Sequence, residues 1–322
     1  LAGHLGLHTG GPAQRCLSAA PAHLQPCRAG LSAASGSGAG GLHGLDDGRL
    51  EHIALDLPGD DAGNLVPRLG GAHRPMPGGA WRLDMDALLC AITPATRLLV
   101  LNAPNNPTGW TLSGHEQRAI LDHCRRTGTW ILSDEVYERL YYEPTANGCA
   151  PSFLDVSQPE DRLIVVQSFS KSFLMTGWRL GWLVMPPSLT PHMGKLIEFN
   201  TSCISVFTQR AGIAALAHAH EITPHVVAHL RRCRDTLVPL LGSVPGVEVA
   251  AASGGMYAFF RMAGHGDSLQ VAKRLVAEAG LGLAPGNAFG AEAQGWLRWC
   301  FASKDPERLV QGVARLKTWL GL

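Results

Sequence analysis

The 322-residue sequence predicts an α/β fold: a doubly wound, mostly parallel sheet followed by a smaller C-terminal α+β unit. Three observations predict it. Continuous apolar runs, as expected of strands buried on both faces, alternate with segments of helical period. Each marked polar cluster directly follows one of those runs, where the carboxyl edge of such a sheet binds ligands. From about residue 225 the pattern changes to shorter strands between amphipathic helices.

Residues 1–80 contribute least to this pattern. They hold 17 of the 38 glycines and 6 of the 14 histidines, no Phe, Tyr or Trp, and only Ile53 and Val66 among the β-branched aliphatics. That composition offers little to pack a sheet or fill a core. We expect an atypical, poorly ordered segment over 1–80, and its Ala/Gly/Pro/Arg/His bias also fits a shifted reading frame in a GC-rich gene. An organelle leader is not expected, because residues 1–45 carry only Arg15 and Arg28 and no amphipathic period. Gly36, Gly38 and Gly41 spell GxGxxG, but no β-branched strand precedes them, which argues against a dinucleotide site.

Residues 81–224 read as the large domain. "TRLLVLN" (96–102) is its first buried strand, and "SGHEQRAILDHCRRTG" (113–128) is a helix with Ser113 as N-cap, Glu116 completing a capping box and Gly128 ending it. "TWILS" (129–133) and "LIVVQS" (163–168) are further strands. Helical period follows over 205–219, 224–242, 268–279 and 305–320, with strands at 246–251, 256–262 and 296–302. Residues 225–322 thus form the smaller domain.

Bulk properties exclude several function classes. A net charge of +1 with mixed signs gives no nucleic-acid or membrane-surface signature. No apolar run approaches the roughly 20 residues of a membrane helix, so a soluble protein is expected. The eight cysteines include no CxxC pair, which argues against a zinc site or disulfide framework and fits a reducing cytoplasmic location.

Four clusters carry candidate chemistry. The chain has 22 arginines and 5 lysines, and its first lysine is Lys171, in "SFSKSFLMTGWRLGW" (168–182). Lysine, unlike arginine, can lose a proton and attack a carbonyl, so Lys171 is either a solvated charge or a Schiff-base nucleophile. In the same stretch Ser168, Ser170 and Arg179 offer hydroxyls and a planar fork to a phosphate. "NAPNNPTGW" (102–110) is either a plain Pro/Asn/Gly turn or a ligand loop holding Asn106. In "SDEVYERL" (133–140), Asp134 and Tyr137 are three apart, so an opening helical turn would face both to one pocket; the alternative is an Asp cap and a core tyrosine. Arg298 interrupts the apolar strand "WLRWCFA" (296–302) and needs an anion, from the protein or from a ligand. Ser168 and Lys171 also spell S-x-x-K, but the S-D-N and K-T-G of serine acylases are absent.

"NAPNNPTG", then D-x-x-Y, then S-x-S-K with G-x-R-x-G, then a late strand arginine, in that order, resemble the class I/II aminotransferase family from about Gly79 to the C-terminus. "SGGMYAFF" (253–260) resembles a strand region of that family. The resemblance implies a fold-type I, aspartate-aminotransferase-like enzyme using pyridoxal 5′-phosphate (PLP). It implies that Lys171 carries the cofactor as a Schiff base and then moves protons. Asp134 pairs with the ring nitrogen, Asn106 and Tyr137 with the ring phenolate, and Ser168, Ser170 and Arg179 with the phosphate, while Arg298 binds the substrate α-carboxylate. Amino-acid and 2-oxo-acid substrates, ping-pong turnover and a homodimer are implied in the same way. A PLP-dependent C–S lyase, or an impaired remnant lacking the family's N-terminal cofactor-binding parts, shares these motifs. Residues 1–80 supply neither the family's ring-stacking aromatic nor its cross-dimer tyrosine.

Overall fold

The computed structural model describes residues 73–322. Most of the atypical N-terminal stretch, including Gly36, Gly38, Gly41, Cys16 and Cys27, lies outside the described residues. The first elements appear just ahead of the composition change. Strand β1 (His73–Pro75) pairs antiparallel with β2 (Trp81–Leu83) around a 3-10 turn at Pro77–Gly79. Gly79 sits at φ +84°, and a Cβ there would lie 2.8 Å from the Val249 backbone. This close approach docks the ribbon on the C-terminal half of the chain.

Helix α1 (Met85–Ala91) is capped by Asp84, whose Oδ1 accepts from the Ala87 N–H at 3.0 Å. Strand β3 (Leu98–Asn102) leads into α2 (Gly114–Thr127). The expected capping box is present: Ser113 Oγ accepts from the Glu116 N–H at 3.3 Å, and Glu116 Oε2 accepts from the Ser113 N–H at 2.8 Å. Gly128 closes the helix at φ +76°. Strands β4 (Trp130–Asp134), β5 (Leu163–Ser168) and β6 (Gly181–Val184) complete a sheet of order β3-β4-β5-β6. The first two pairings are parallel and β5–β6 is antiparallel. Leu99, Ile131 and Val165 are wholly buried at its centre. Strand β6 has no counterpart in the sequence reading, and its residues are half-buried or exposed.

Helices α3 (Thr190–Thr201), α4 (Val206–Ala217) and α5 (Ala219–Gly242) follow, and α5 runs unbroken across position 224/225. Strands β7 (Val247–Val249) and β8 (Tyr257–Met262), helix α6 (Ser268–Ala279), strands β9 (Ala284–Pro285) and β10 (Trp296–Cys300), and helix α7 (Glu307–Trp319) complete the chain. Their sheet has order β7-β8-β10-β9 and is antiparallel throughout. Its core packs Leu237 and Leu241 of α5, Phe260 of β8, Leu275 of α6, Leu297 of β10 and Leu316 of α7. Tyr137, Leu140 and Tyr142, from the stretch just after β4, belong to the same core. The end of β4 is thereby tied to the antiparallel sheet, and the site lies at that junction.

Among the described residues no helix is long and apolar enough to cross a membrane, no His/Cys/Asp/Glu group could hold a metal ion, and Cys90, Cys124, Cys203, Cys233 and Cys300 are free thiols.

Candidate active site

The carboxyl ends of β3, β4 and β5 are Asn102, Asp134 and Ser168. Asn102 stands opposite Asp134 in the parallel register, and its amide Nδ2 donates to the Asp134 carbonyl at 3.2 Å. Its Oδ1 accepts from the Asn106 N–H at 2.7 Å. The loop between them is a turn built by Asn105, whose side-chain oxygen accepts from the Thr108 N–H (3.1 Å) and hydroxyl (2.8 Å). The turn reading of "NAPNNPTGW" is met by Asn105, and Asn106 faces Arg298. Arg298 Nη1 donates to Asn106 Oδ1 at 2.7 Å.

Asp134 Oδ1 accepts from the Val136 N–H at 3.2 Å. Burial raises its carboxyl above the usual range, opposed by that N–H and by the charge of Lys171. The stretch after it is a succession of turns, not a helix: Glu138 N–H donates to the Glu135 carbonyl (2.9 Å) and Leu140 N–H to that of Tyr137 (2.8 Å). Tyr137 is buried, its hydroxyl 3.1 Å from that of Tyr257 on β8. Burial, with the Tyr257 hydroxyl beside it, pushes its phenol far above the ordinary tyrosine range, so the ring stays neutral. Lys171, in the turn after β5, places its Nζ 5.7 Å from the centre of the Tyr137 ring. The Arg298 Cζ lies 4.4 Å from the Tyr257 ring centre and 4.8 Å from that of Phe289.

Contact by contact these residues close a circuit: Lys171, Tyr137, Tyr257, Arg298, Asn106, Asn102, Asp134 and back to Lys171 through their charges. Residues 192 apart in sequence meet across it. Among the described residues neither Lys171 nor Arg298 forms an ion pair with a carboxylate. The internal-ion-pair alternative for Arg298 thus finds no partner there.

The three expected phosphate ligands share one loop but do not bond one another through their side chains. Ser168 Oγ accepts from the Ser170 N–H at 3.0 Å. Arg179 is exposed at φ +50° and donates to the Thr176 carbonyl at 2.9 Å. Gly181, opposite Ser168, allows close pairing, since a Cβ there would lie 2.5 Å from the Gln167 carbonyl oxygen. An open cleft of about 800 Å³ between loop 145–161 and strands β5 and β6 contains none of the circuit residues.

Asn102, Tyr257, Phe289 and Glu135 were not singled out by sequence reasoning. Asn102, Glu135 and Tyr257 lie inside quoted motifs, whereas nothing in the local sequence marks Phe289. Glu135 is fully buried and accepts from Ser133 Oγ (3.0 Å), Ser152 Oγ (2.5 Å) and the Phe153 N–H (3.0 Å).

Residues 70–316 match the family Aminotransferase class I and II. The chain belongs to the class I and II aminotransferases. Its aminotransferase relatives include the aspartate aminotransferase of Musicola paradisiaca, 34% identical over 69% of this chain and 55% of the relative, and that of Pyrococcus horikoshii, 33% identical over 73% and 59%. Among solved structures, the aromatic aminotransferase of Pyrococcus horikoshii superposes with a TM-score of 0.69 at 30% identity, covering 74% of this chain and 64% of that one. The Thermus thermophilus aspartate aminotransferase with maleate gives 0.68 at 29%, covering 76% and 62%. The chain spans 55–60% of the length of the first curated aminotransferases it matches.

Proposed function

We propose that this aminotransferase-family chain transfers the amino group of an L-amino acid to a 2-oxo acid, using PLP and ping-pong turnover. The circuit from Lys171 to Arg298 carries the reading. Around one junction it sets a primary amine, a carboxylate, a neutral phenol and a guanidinium that has no carboxylate partner among the described residues.

The donor set fits PLP. Asp134, half-buried at a strand end, suits a ring N–H. The Tyr137 hydroxyl and the Asn106 amide suit a phenolate oxygen. Ser168, Ser170 and Arg179 suit a phosphate. When bound, the cofactor supplies an aldehyde that takes up the amino group and a ring that draws electrons from the substrate Cα. Lys171 would anchor the cofactor, and its freed Nζ would take the proton from the substrate Cα and deliver it to the carbon that was the cofactor's aldehyde, leaving Cα ready for hydrolysis to the 2-oxo acid. Asp134 keeps a proton on the ring nitrogen, favoured by its partly buried setting. Arg298 spends Nη1 on Asn106 and presents its remaining N–H groups to the α-carboxylate. In this reading residues 81–224 bind the cofactor and 225–322 contribute Arg298. The maleate in the Thermus thermophilus relative's structure is consistent with a carboxylate-binding site.

The partner is a second copy of the chain and the setting is the cytoplasm. Six exposed apolar residues between 196 and 213 support the first, among them Phe199 and Phe207.

Amino acids added singly to the PLP-loaded chain should bleach its visible band, and a 2-oxo acid should restore it. Borohydride should fix the cofactor on the peptide containing position 171, as read by mass spectrometry, and Lys171→Ala should abolish both signals. Pyruvate released without any amino acceptor would instead indicate α/β-elimination. A chain that takes up no PLP defeats the reading.

A further inference from the structure

We propose that Phe289, together with Tyr257, is a positioning residue for Arg298, holding the guanidinium through its aromatic faces so that its N–H edge stays open to a carboxylate. The proposal rests on the reading of Arg298 as the carboxylate-binding residue.

A half-buried guanidinium needs a compensating partner. The usual partner is a carboxylate, and among the described residues Arg298 has none. A protein carboxylate would occupy the same in-plane N–H donors that a substrate carboxylate needs. An aromatic ring does not, because its quadrupole attracts the cation through the ring face. The structure supplies two such rings, with centroids 4.4 Å (Tyr257) and 4.8 Å (Phe289) from Cζ. Among the described residues its in-plane bonding is limited to Nη1, which donates to Asn106.

Phe289 is itself fixed in place. Its ring meets Phe259 edge-on, at 6.1 Å and 86°, and Phe259 stacks on Trp296 at 5.3 Å and 18°. Trp81 packs against both, at 5.6 and 5.1 Å. The short helical turn Gly286–Phe289 presses so closely on β10 that a Cβ at Gly286 would lie 2.7 Å from the Trp296 carbonyl oxygen. The aromatic cluster therefore sets where Phe289 stands, and Phe289 helps set where Arg298 stands.

The test measures propanoate binding to the PLP-loaded full chain by ligand-detected NMR, beside steady-state kinetics. Phe289→Leu keeps apolar bulk and removes the ring. It should weaken propanoate about 5- to 30-fold and raise the amino-acid KM by a similar factor, with kcat within about twofold of the unmodified chain. Phe289→Tyr should restore both. Phe289→Met carries the same expectation as Leu should Leu at 289 cost the fold. Propanoate binding by Phe289→Leu or Phe289→Met as tight as by the unmodified chain overturns the proposal, while loss of binding in Arg298→Ala leaves the functional reading standing. Unchanged binding in Arg298→Ala removes both.

Discussion

At the scale of single residues, Glu135 has the most heavily constrained side chain next to the site. It is wholly buried beside Asp134, and burial outweighs its three donors, pushing its carboxyl up to about 8. Between the ordinary carboxyl range and about pH 8 the folded protein therefore holds a proton that the unfolded chain has released. By linkage, stability falls as pH rises through that window and is lowest above it. Glu135→Gln keeps an oxygen for the Phe153 N–H and cannot ionise. Denaturant midpoints at pH 5, 6.5 and 8 should fall steeply for the unmodified chain, by the equivalent of about 3–5 kcal/mol, and much less for the variant. The slope should not vanish, since burial also raises the carboxyl of Glu138. Equal slopes in the two proteins would show that Glu135 is already ionised at pH 5.

At the scale of elements, the site depends on two loops from different sheets fitting together without side chains between them. Gly109 sits at φ +70°, and a Cβ there would lie 2.2 Å from the Ala252 Cβ and 2.9 Å from the Gly254 carbonyl oxygen. Its own carbonyl accepts from the Ser253 and Gly254 N–H groups, each at 3.1 Å. Gly254 answers from the other side, where a Cβ would meet Pro104 at 2.6 Å. Gly109→Ala combines left-handed strain with overpacking, and should cost about 2–5 kcal/mol. It should also raise the KM for amino acid, because the displaced loop carries Asn106 away from Arg298; a KM unchanged beside a lowered denaturant midpoint would separate the loop's fit from the site. What the sequence disclosed follows the same division between local and long-range features. The ends of α2, the buried strands β3 to β5 and the helices of the C-terminal half were legible because capping chemistry and apolar period are local signals. Strand β6 and helix α3 were not, since α3 buries no side chain and β6 alternates between half-burial and exposure. In the site, Lys171, Asp134, Tyr137, Asn106 and Arg298 stood out through motif order. Tyr257 and Phe289 did not, because what distinguishes them is contact with Tyr137 and Arg298 across the fold.

At the scale of the whole molecule, the described chain leaves an unusual amount of apolar surface on consecutive helices. Leu196, Ile197 and Phe199 of α3 and Val206, Phe207 and Ile213 of α4 are all exposed, Phe199 at 89% and Phe207 at 73%. An isolated exposed leucine is ordinary, but six large apolar side chains within one helix pair are the kind of surface that associates. A two-fold pairing would place the same helices of both copies in one self-complementary contact, so a single charge introduced there enters the interface twice. Each buried aspartate would then face desolvation without a cation supplied for it. Phe199→Asp and Phe207→Asp, singly or together, should therefore convert a two-chain assembly into single chains in sedimentation velocity. Unfolding of the separated chains should become independent of protein concentration, whereas that of the assembly should shift to higher temperature as concentration rises. If the unmodified protein already sediments as one chain across the micromolar range, the homodimer is wrong, and this apolar face serves something other than a second copy.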